Sequence, residues 1–228
     1  MANVHNCHEL VDRNIFEFCC IKIFFNYDSI VHADRNRMAG KQAKILFDHH
    51  VHALLAYAQA SRYPGRNRVI VLLSVKAGLR AGEIANLTWP MVLDPSGEIA
   101  TYIELHDGAA KNRGGRRVPL HNDLREALAR WREVSDGPLY VVGSERGGGL
   151  TPSSIANWFT GAYRHLGLAG CSSHSGRRTF ITRAARLVHK AGGSLRDVQI
   201  LASHRSIQTT QAYIDGDTDA QRRLVALI

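Results

Sequence analysis

Beyond residue 40 the apolar positions recur mostly at helical spacing, and glycine, proline or a capping side chain punctuates each run. In AKILFDHHVHALLAYAQA, the residues Ile45, Leu46, His49, Ala53, Leu54 and Tyr57 fall near one face, which predicts an amphipathic helix. SRYPG reads as a turn. NRVIVLLSVKAG is apolar on nearly every side, the pattern of a buried helix, with Gly78 as its stop signal. RAGEIANLTW opens a short helix that the Pro90 region should end. Two β-like runs, GEIATYIEL and GRRVPL, flank the turn-rich HDGAAKNRGG and predict a hairpin.

Helices resume with NDLREALARWREV, and a short extended PLYVV precedes the loop GSERGGG. TPSSIANWFTGAYRHLGL should start with Thr151 as N-cap and Pro152 at the first helical position. SGRRTFITRAARLVHKAG is a further helix closed by Gly192 and Gly193. SLRDVQILAS carries Ser194 and Asp197 at near capping-box spacing. SIQTTQAYI predicts a short helix, and TDAQRRLVALI a last amphipathic one. The pattern predicts an α+β chain, mainly helical, with one small antiparallel sheet and no internal repeat.

Composition supports a globular reading: 45% of the 228 residues are apolar and 21% charged. The apolar runs at 21–25 and 69–73 are too short to span a bilayer. The first residues lack the order of a secretion signal, so a cytoplasmic location is expected. Four cysteines are too few for a disulfide scaffold. Composition shifts near residue 40, which divides the chain into a 1–40 extension and a 41–228 domain. The extension holds Cys7, Cys19 and Cys20 and ends in HADRNRMAG; it is either an appendage or an upstream stretch with Met38 as the true start. His5, Cys7 and His8 match no standard four-ligand metal pattern, and the His49, His50 and His52 cluster fits a helix surface and core edge better than a metal site.

Charge changes the picture. The chain carries a net +9, yet residues 1–40 have four basic against five acidic groups, so residues 41–228 hold 25 against 15. An excess of that size points to a polyanion, nucleic acid above all, although an ordinary basic enzyme also fits. Four basic segments stand at predicted junctions: AGLRAGEIANLTW, AAKNRGGRRVPL, HSGRRTF and LASHRSIQTTQAY. Their candidates are Arg80, Lys111, His174, Arg177, His204 and Tyr213. Two guanidiniums can clamp the oxygens of a phosphodiester while a tyrosine attacks it, and such a clamp requires neither a metal nor a cofactor.

The order of these residues resembles the tyrosine recombinase, or phage integrase, family, which carries Arg…Lys…His-x-x-Arg…His…Tyr. Here Arg80 lies in GLRAGEI with Glu83 behind it, Lys111 precedes VPL, His174 and Arg177 fill HSGR, and His204 and Tyr213 are nine apart in HRSIQTTQAY. The resemblance covers roughly residues 41–215. It implies a recombinase-type catalytic domain acting on double-stranded DNA, with Tyr213 forming a 3′-phosphotyrosyl link. It further implies that Arg80 and Arg177 clamp the phosphate, Lys111 protonates the leaving 5′-oxygen, His174 accepts a proton from Tyr213, and His204 donates to the phosphate. Glu83 would orient Arg80 or a neighbour, and Arg178 would serve the fold or a backbone phosphate. The resemblance also implies self-association on DNA as a tetrameric synapse.

Two departures stand out. The family usually has Leu-Gly before the second histidine, where this chain has Ala202 and Ser203. Members also carry a helical core-binding domain upstream, whereas the residues preceding the match here are few and not basic. A short recombinase, a non-catalytic DNA-binding remnant and a type IB topoisomerase-like nicking enzyme are therefore the function classes to separate. In the tail, Leu224, Val225, Leu227 and Ile228 either pack on a neighbouring protomer, as family tails do, or cap the domain's own core.

Overall fold

The computed structural model describes residues 43–106, 115–135, 139–214, 222 and 225–228. In chain order the elements are α1 (Asp48–Gln59), α2 (Pro64–Lys76), α3 (Ala81–Ala85), a 3-10 turn (Trp89–Met91), β1 (Tyr102–Leu105), β2 (Arg116–Pro119), α4 (Asn122–Val134), α5 (Pro152–His165), α6 (Ser175–Leu187), α7 (Leu195–Ala202) and α8 (Ile207–Gln211). The predicted mainly helical α+β architecture is the one observed.

Helix α2 organises the rest. Val69 through Val75 are buried without a break, as a helix apolar on all sides must be. It packs against α1, α3, α4 and α6. Two glycines let the chain approach closely here. Gly78 ends α2 with φ +65°, a conformation that favours glycine. Gly176 on α6 faces α2 so tightly that a Cβ there would lie 2.9 Å from Ser74 Cβ and 3.1 Å from Val75 Cγ1. A smaller core of Ile181, Ala185, Val188, Val198 and Ala202 joins α6 to α7, and Tyr213 packs against it.

The two strands pair antiparallel, with Tyr102 opposite Pro119 and Leu105 opposite Arg116. Alternation puts Ile103, Leu105, Arg116 and Val118 on the buried face. On the exposed face Arg117 pairs with Glu104 at 3.1 Å.

Several boundaries differ from the sequence pattern. Ile45 and Leu46 precede α1, because the Leu46 N–H is donated to Thr179 Oγ1 on α6 at 2.8 Å. The buried stripe of α1 is Val51, Leu54 and Ala58, while His49 is exposed and His50 Nδ1 accepts the Phe47 N–H ahead of the helix. Pro64 of SRYPG already opens α2, where its missing N–H costs nothing. α3 stops at Asn86, and Pro90 lies inside the 3-10 turn instead of ending the helix. Thr151, Pro152 and the Ser194–Asp197 capping box stand where the sequence placed them.

The hairpin tip with Lys111, the cysteines and histidines of residues 1–40, and Leu224 lie outside the described residues. Val225, Leu227 and Ile228 are exposed, so these three do not cap the core. No helix among the described residues is long and apolar enough to cross a membrane.

Helix α7 ends at Ser203, whose φ of 49° and ψ of 49° are left-handed. This is the position where the sequence departs from glycine. A side chain in that region costs about 1–2 kcal/mol relative to right-handed backbone, and glycine escapes most of it. Ser203→Gly should therefore raise unfolding stability by about 1 kcal/mol in urea titration with an unchanged slope; equal or lower stability would contradict the assignment.

Candidate active site

Glu83 is the anchor. It sits one turn into α3, and its side chain is 1% exposed. Arg80, just before that helix, donates its backbone N–H to Glu83 Oε2 and a guanidinium N–H to Oε1, both at 2.9 Å. Arg116 reaches in from β2 and grips the same carboxylate with two N–H groups, at 2.8 and 3.0 Å. This fork-to-carboxylate geometry is strong and directional. The Arg116 side chain is 4% exposed and Arg80 23%, so Arg80 alone of the two can still reach a ligand. Burial pushes the Glu83 carboxyl up, but the bonds and charge of Arg116, then of Arg80, outweigh it and hold the group at about 2.

Arg177 enters from α6, also buried. It donates one N–H to the Gly78 carbonyl at 2.6 Å and another to the Ala202 carbonyl, and it comes within 4.0 Å of Glu83 Oε2. Those two carbonyls cap α2 and α7, so the guanidinium is held by the ends of two helices. Its three remaining N–H groups are free of those bonds and are oriented by them. Burial, then the charge of Arg80, lowers its pKa to about 10, which leaves it cationic at neutral pH.

His204 follows directly on the left-handed turn at Ser203. Its carbonyl accepts from Gln199 Nε2 at 2.9 Å, and its Nδ1 lies 2.9 Å from Thr210 Oγ1. Burial first, then Arg177, Arg80 and Arg116, push the imidazole down to about 4, so it is neutral at physiological pH. The Tyr213 ring stacks on it, with centroids 5.5 Å apart and planes 23° apart, and the Arg178 guanidinium lies 5.8 Å from the Tyr213 centroid.

Arg80, Arg177, His204 and Tyr213 are therefore brought together from four separate segments. His174 stands exposed at the N-cap of α6, one turn ahead of Arg177. Lys111 lies outside the described residues.

Glu83 orients Arg80, as the sequence suggested, and it also holds Arg116, which the sequence analysis did not single out. The signal was available: in GRRVPL, strand alternation puts Arg116 on the apolar face with Val118, and a buried guanidinium needs a buried carboxylate. Thr210 was likewise missed, because no spacing marks a hydroxyl as a partner for an imidazole six residues away.

Comparison with known proteins gives a consistent picture. The phage integrase family model matches residues 44–219. A tyrosine recombinase XerC of Brucella melitensis is 31% identical over 159 residues, covering 67% of this chain and 47% of the relative. The chain thus spans about half the length of that recombinase. The crystal structure of XerA recombinase superposes with a TM-score of 0.64 at 22% identity, over 95% of this chain and 77% of XerA. That of XerH site-specific recombinase bound to a palindromic difH substrate, a post-cleavage complex, gives 0.63 at 21% identity, over 84% and 55%. The two structural likenesses concern the fold.

The Glu83 anchor has a pH signature. Its carboxyl titrates at about 2 in the folded chain against an ordinary 4.5, so its stabilisation is complete above pH 4.5 and is lost as pH falls toward 2. Glu83→Gln leaves Arg116 buried without a counter-charge, which should cost about 3–5 kcal/mol near neutrality. The gap between wild type and Glu83→Gln should close as pH drops from 4.5 toward 2. Denaturant titrations across that range check this, and a pH-independent gap would contradict it.

Proposed function

The chain belongs to the phage integrase family, and from that premise we propose that residues 41–228 form a catalytic domain that cleaves and rejoins double-stranded DNA through a 3′-phosphotyrosyl intermediate. The observation that carries the reading is a charge imbalance. Three guanidiniums, those of Arg80, Arg116 and Arg177, gather around the single carboxylate of Glu83. Arg116 is consumed by that carboxylate, which leaves Arg80 and Arg177 with donors and charge to spare. A phosphodiester supplies the missing anion.

In this reading Arg80 and Arg177 grip the non-bridging oxygens of the scissile phosphate, and His204, held neutral, donates a further hydrogen bond. The Tyr213 hydroxyl oxygen attacks phosphorus in line and gives its proton to His174. The bond from phosphorus to the 5′-oxygen breaks, and Lys111 protonates that oxygen. The phosphotyrosyl ester keeps the energy of the broken bond, so a 5′-hydroxyl can reverse the step without ATP. Catalysis rests on positioning and electrostatic stabilisation by side chains, with no metal or cofactor in any step.

XerH, which shares the fold, is solved bound to its difH substrate, and this supports a DNA substrate here; with it we propose a cytoplasmic protein that assembles on duplex DNA, with a tetrameric synapse as the working unit. The exposure of Val225, Leu227 and Ile228 supports a tail that packs on a neighbouring protomer.

The test is a nicked DNA site from which the downstream fragment is lost after cleavage, trapping the covalent species. Wild-type protein in EDTA should give an adduct that survives denaturing electrophoresis and maps to Tyr213. Tyr213→Phe should abolish it and leave DNA affinity nearly unchanged, since one hydroxyl is removed. Arg177→Ala should weaken both binding and cleavage. Linkage through another residue, or intact binding of a verified site with no adduct, would overturn the proposal. Relaxation of supercoiled plasmid without site preference would point to topoisomerase-like chemistry instead.

A further inference from the structure

Resting on the reading above, we propose that Thr210 is a positioning residue that sets the tautomer of His204 and ties that ring to the turn carrying Tyr213. Thr210 is fully buried. Its hydroxyl lies 2.9 Å from His204 Nδ1. Its backbone carbonyl accepts the N–H of Tyr213 at 3.1 Å. One residue thus holds the imidazole through its side chain and the nucleophile through its main chain.

A neutral imidazole carries one N–H, and the partner of one nitrogen decides the state of the other. When the Thr210 hydroxyl donates to Nδ1, the ring proton resides on Nε2, at the ring edge away from Thr210. That edge is then a hydrogen-bond donor, as an anionic phosphate oxygen requires. In the opposite tautomer Nε2 would present a lone pair to the same oxygen and repel it.

The hydroxyl is diverted from its ordinary use. A threonine within a helix commonly returns its hydroxyl to the carbonyl four residues earlier, as Thr160 does to Ala156 and Thr179 to Ser175. Thr210 turns to His204 instead. The backbone of His204 is already held by Gln199, so ring rotation is the freedom that Thr210 removes. The ring stack between His204 and Tyr213 means that a shift of the Tyr213 turn moves both groups as one unit.

Two measurements test this, and the first needs no DNA. Long-range ¹H–¹⁵N spectra of the imidazoles, with His204 assigned by its loss in His204→Ala, should show Nδ1 bare and Nε2 protonated. Thr210→Val should mix the tautomers, and Thr210→Ser should restore the wild-type pattern. A wild-type ring protonated at Nδ1 overturns the proposal. The second is single-turnover cleavage of the nicked site. Thr210→Val should slow it by about tenfold, the effect of one lost hydrogen bond, with Thr210→Ser close to wild type and DNA affinity unchanged. In a His204→Ala background Thr210→Val should add no further slowing. Slowing that persists there means a purely structural role and overturns the proposal. Failure of the wild-type protein to form any adduct would sink the recombinase reading, while the spectra still decide the tautomer.

Discussion

The site depends on the carboxylate of Glu83. Among the described residues it is the single negative charge that three guanidiniums share, and each guanidinium arrives from a different part of the fold: Arg80 from the start of α3, Arg116 from β2 and Arg177 from α6. Without it, two buried guanidiniums, Arg116 and Arg177, would stand uncompensated, at a cost of several kcal/mol. With it, the cluster holds together yet remains short of negative charge. The buried ion pair therefore does two things at once. It locks the hairpin to the helical body, and it leaves Arg80 and Arg177 cationic and oriented.

The helices supply that arrangement through their ends. α2 is followed by Gly78 in the left-handed conformation that glycine adopts without steric cost, and the Gly78 carbonyl becomes an acceptor for Arg177. α7 stops at Ser203 in the same conformation, so the Ala202 carbonyl becomes the second acceptor and His204 follows at once. Gly176 permits the approach of α6 to α2 that brings Arg177 within reach. The Ala202 carbonyl, left over where α7 ends, and the Gly78 carbonyl just past the end of α2 thus aim the clamp.

Much of this was legible in the sequence, for physical reasons. The buried α2 announced itself by an apolar run that no amphipathic helix would carry. Thr151, Pro152 and Ser194 marked their helix starts because capping chemistry is local. Arg80, Arg177, His204 and Tyr213 were readable as a set from residue type and order, and the fold brings them together. What the sequence did not show depends on distant partners. Leu46 leaves α1 because Thr179, far along the chain, takes its N–H. Arg116 becomes the buried partner of Glu83 because strand register turns it inward; alternation separates it from Arg117, but nothing local names Glu83, 33 positions away, as its partner. Thr210 serves His204 through a contact that exists only once α8 has formed.

If the proposed function is right, Arg80 and Arg177, gathered by the carboxylate they share with Arg116, form a receptor for a tetrahedral oxyanion. The most direct measurement is thermal unfolding with inorganic phosphate replacing chloride at constant ionic strength, on the wild-type chain and on Arg80→Gln. Arg80 is partly exposed, and its loss leaves the Glu83–Arg116 pair in place. Saturable stabilisation by phosphate in the wild type, absent in Arg80→Gln, is the predicted result. Equal melting in phosphate and chloride, or the same phosphate gain in both proteins, would contradict it.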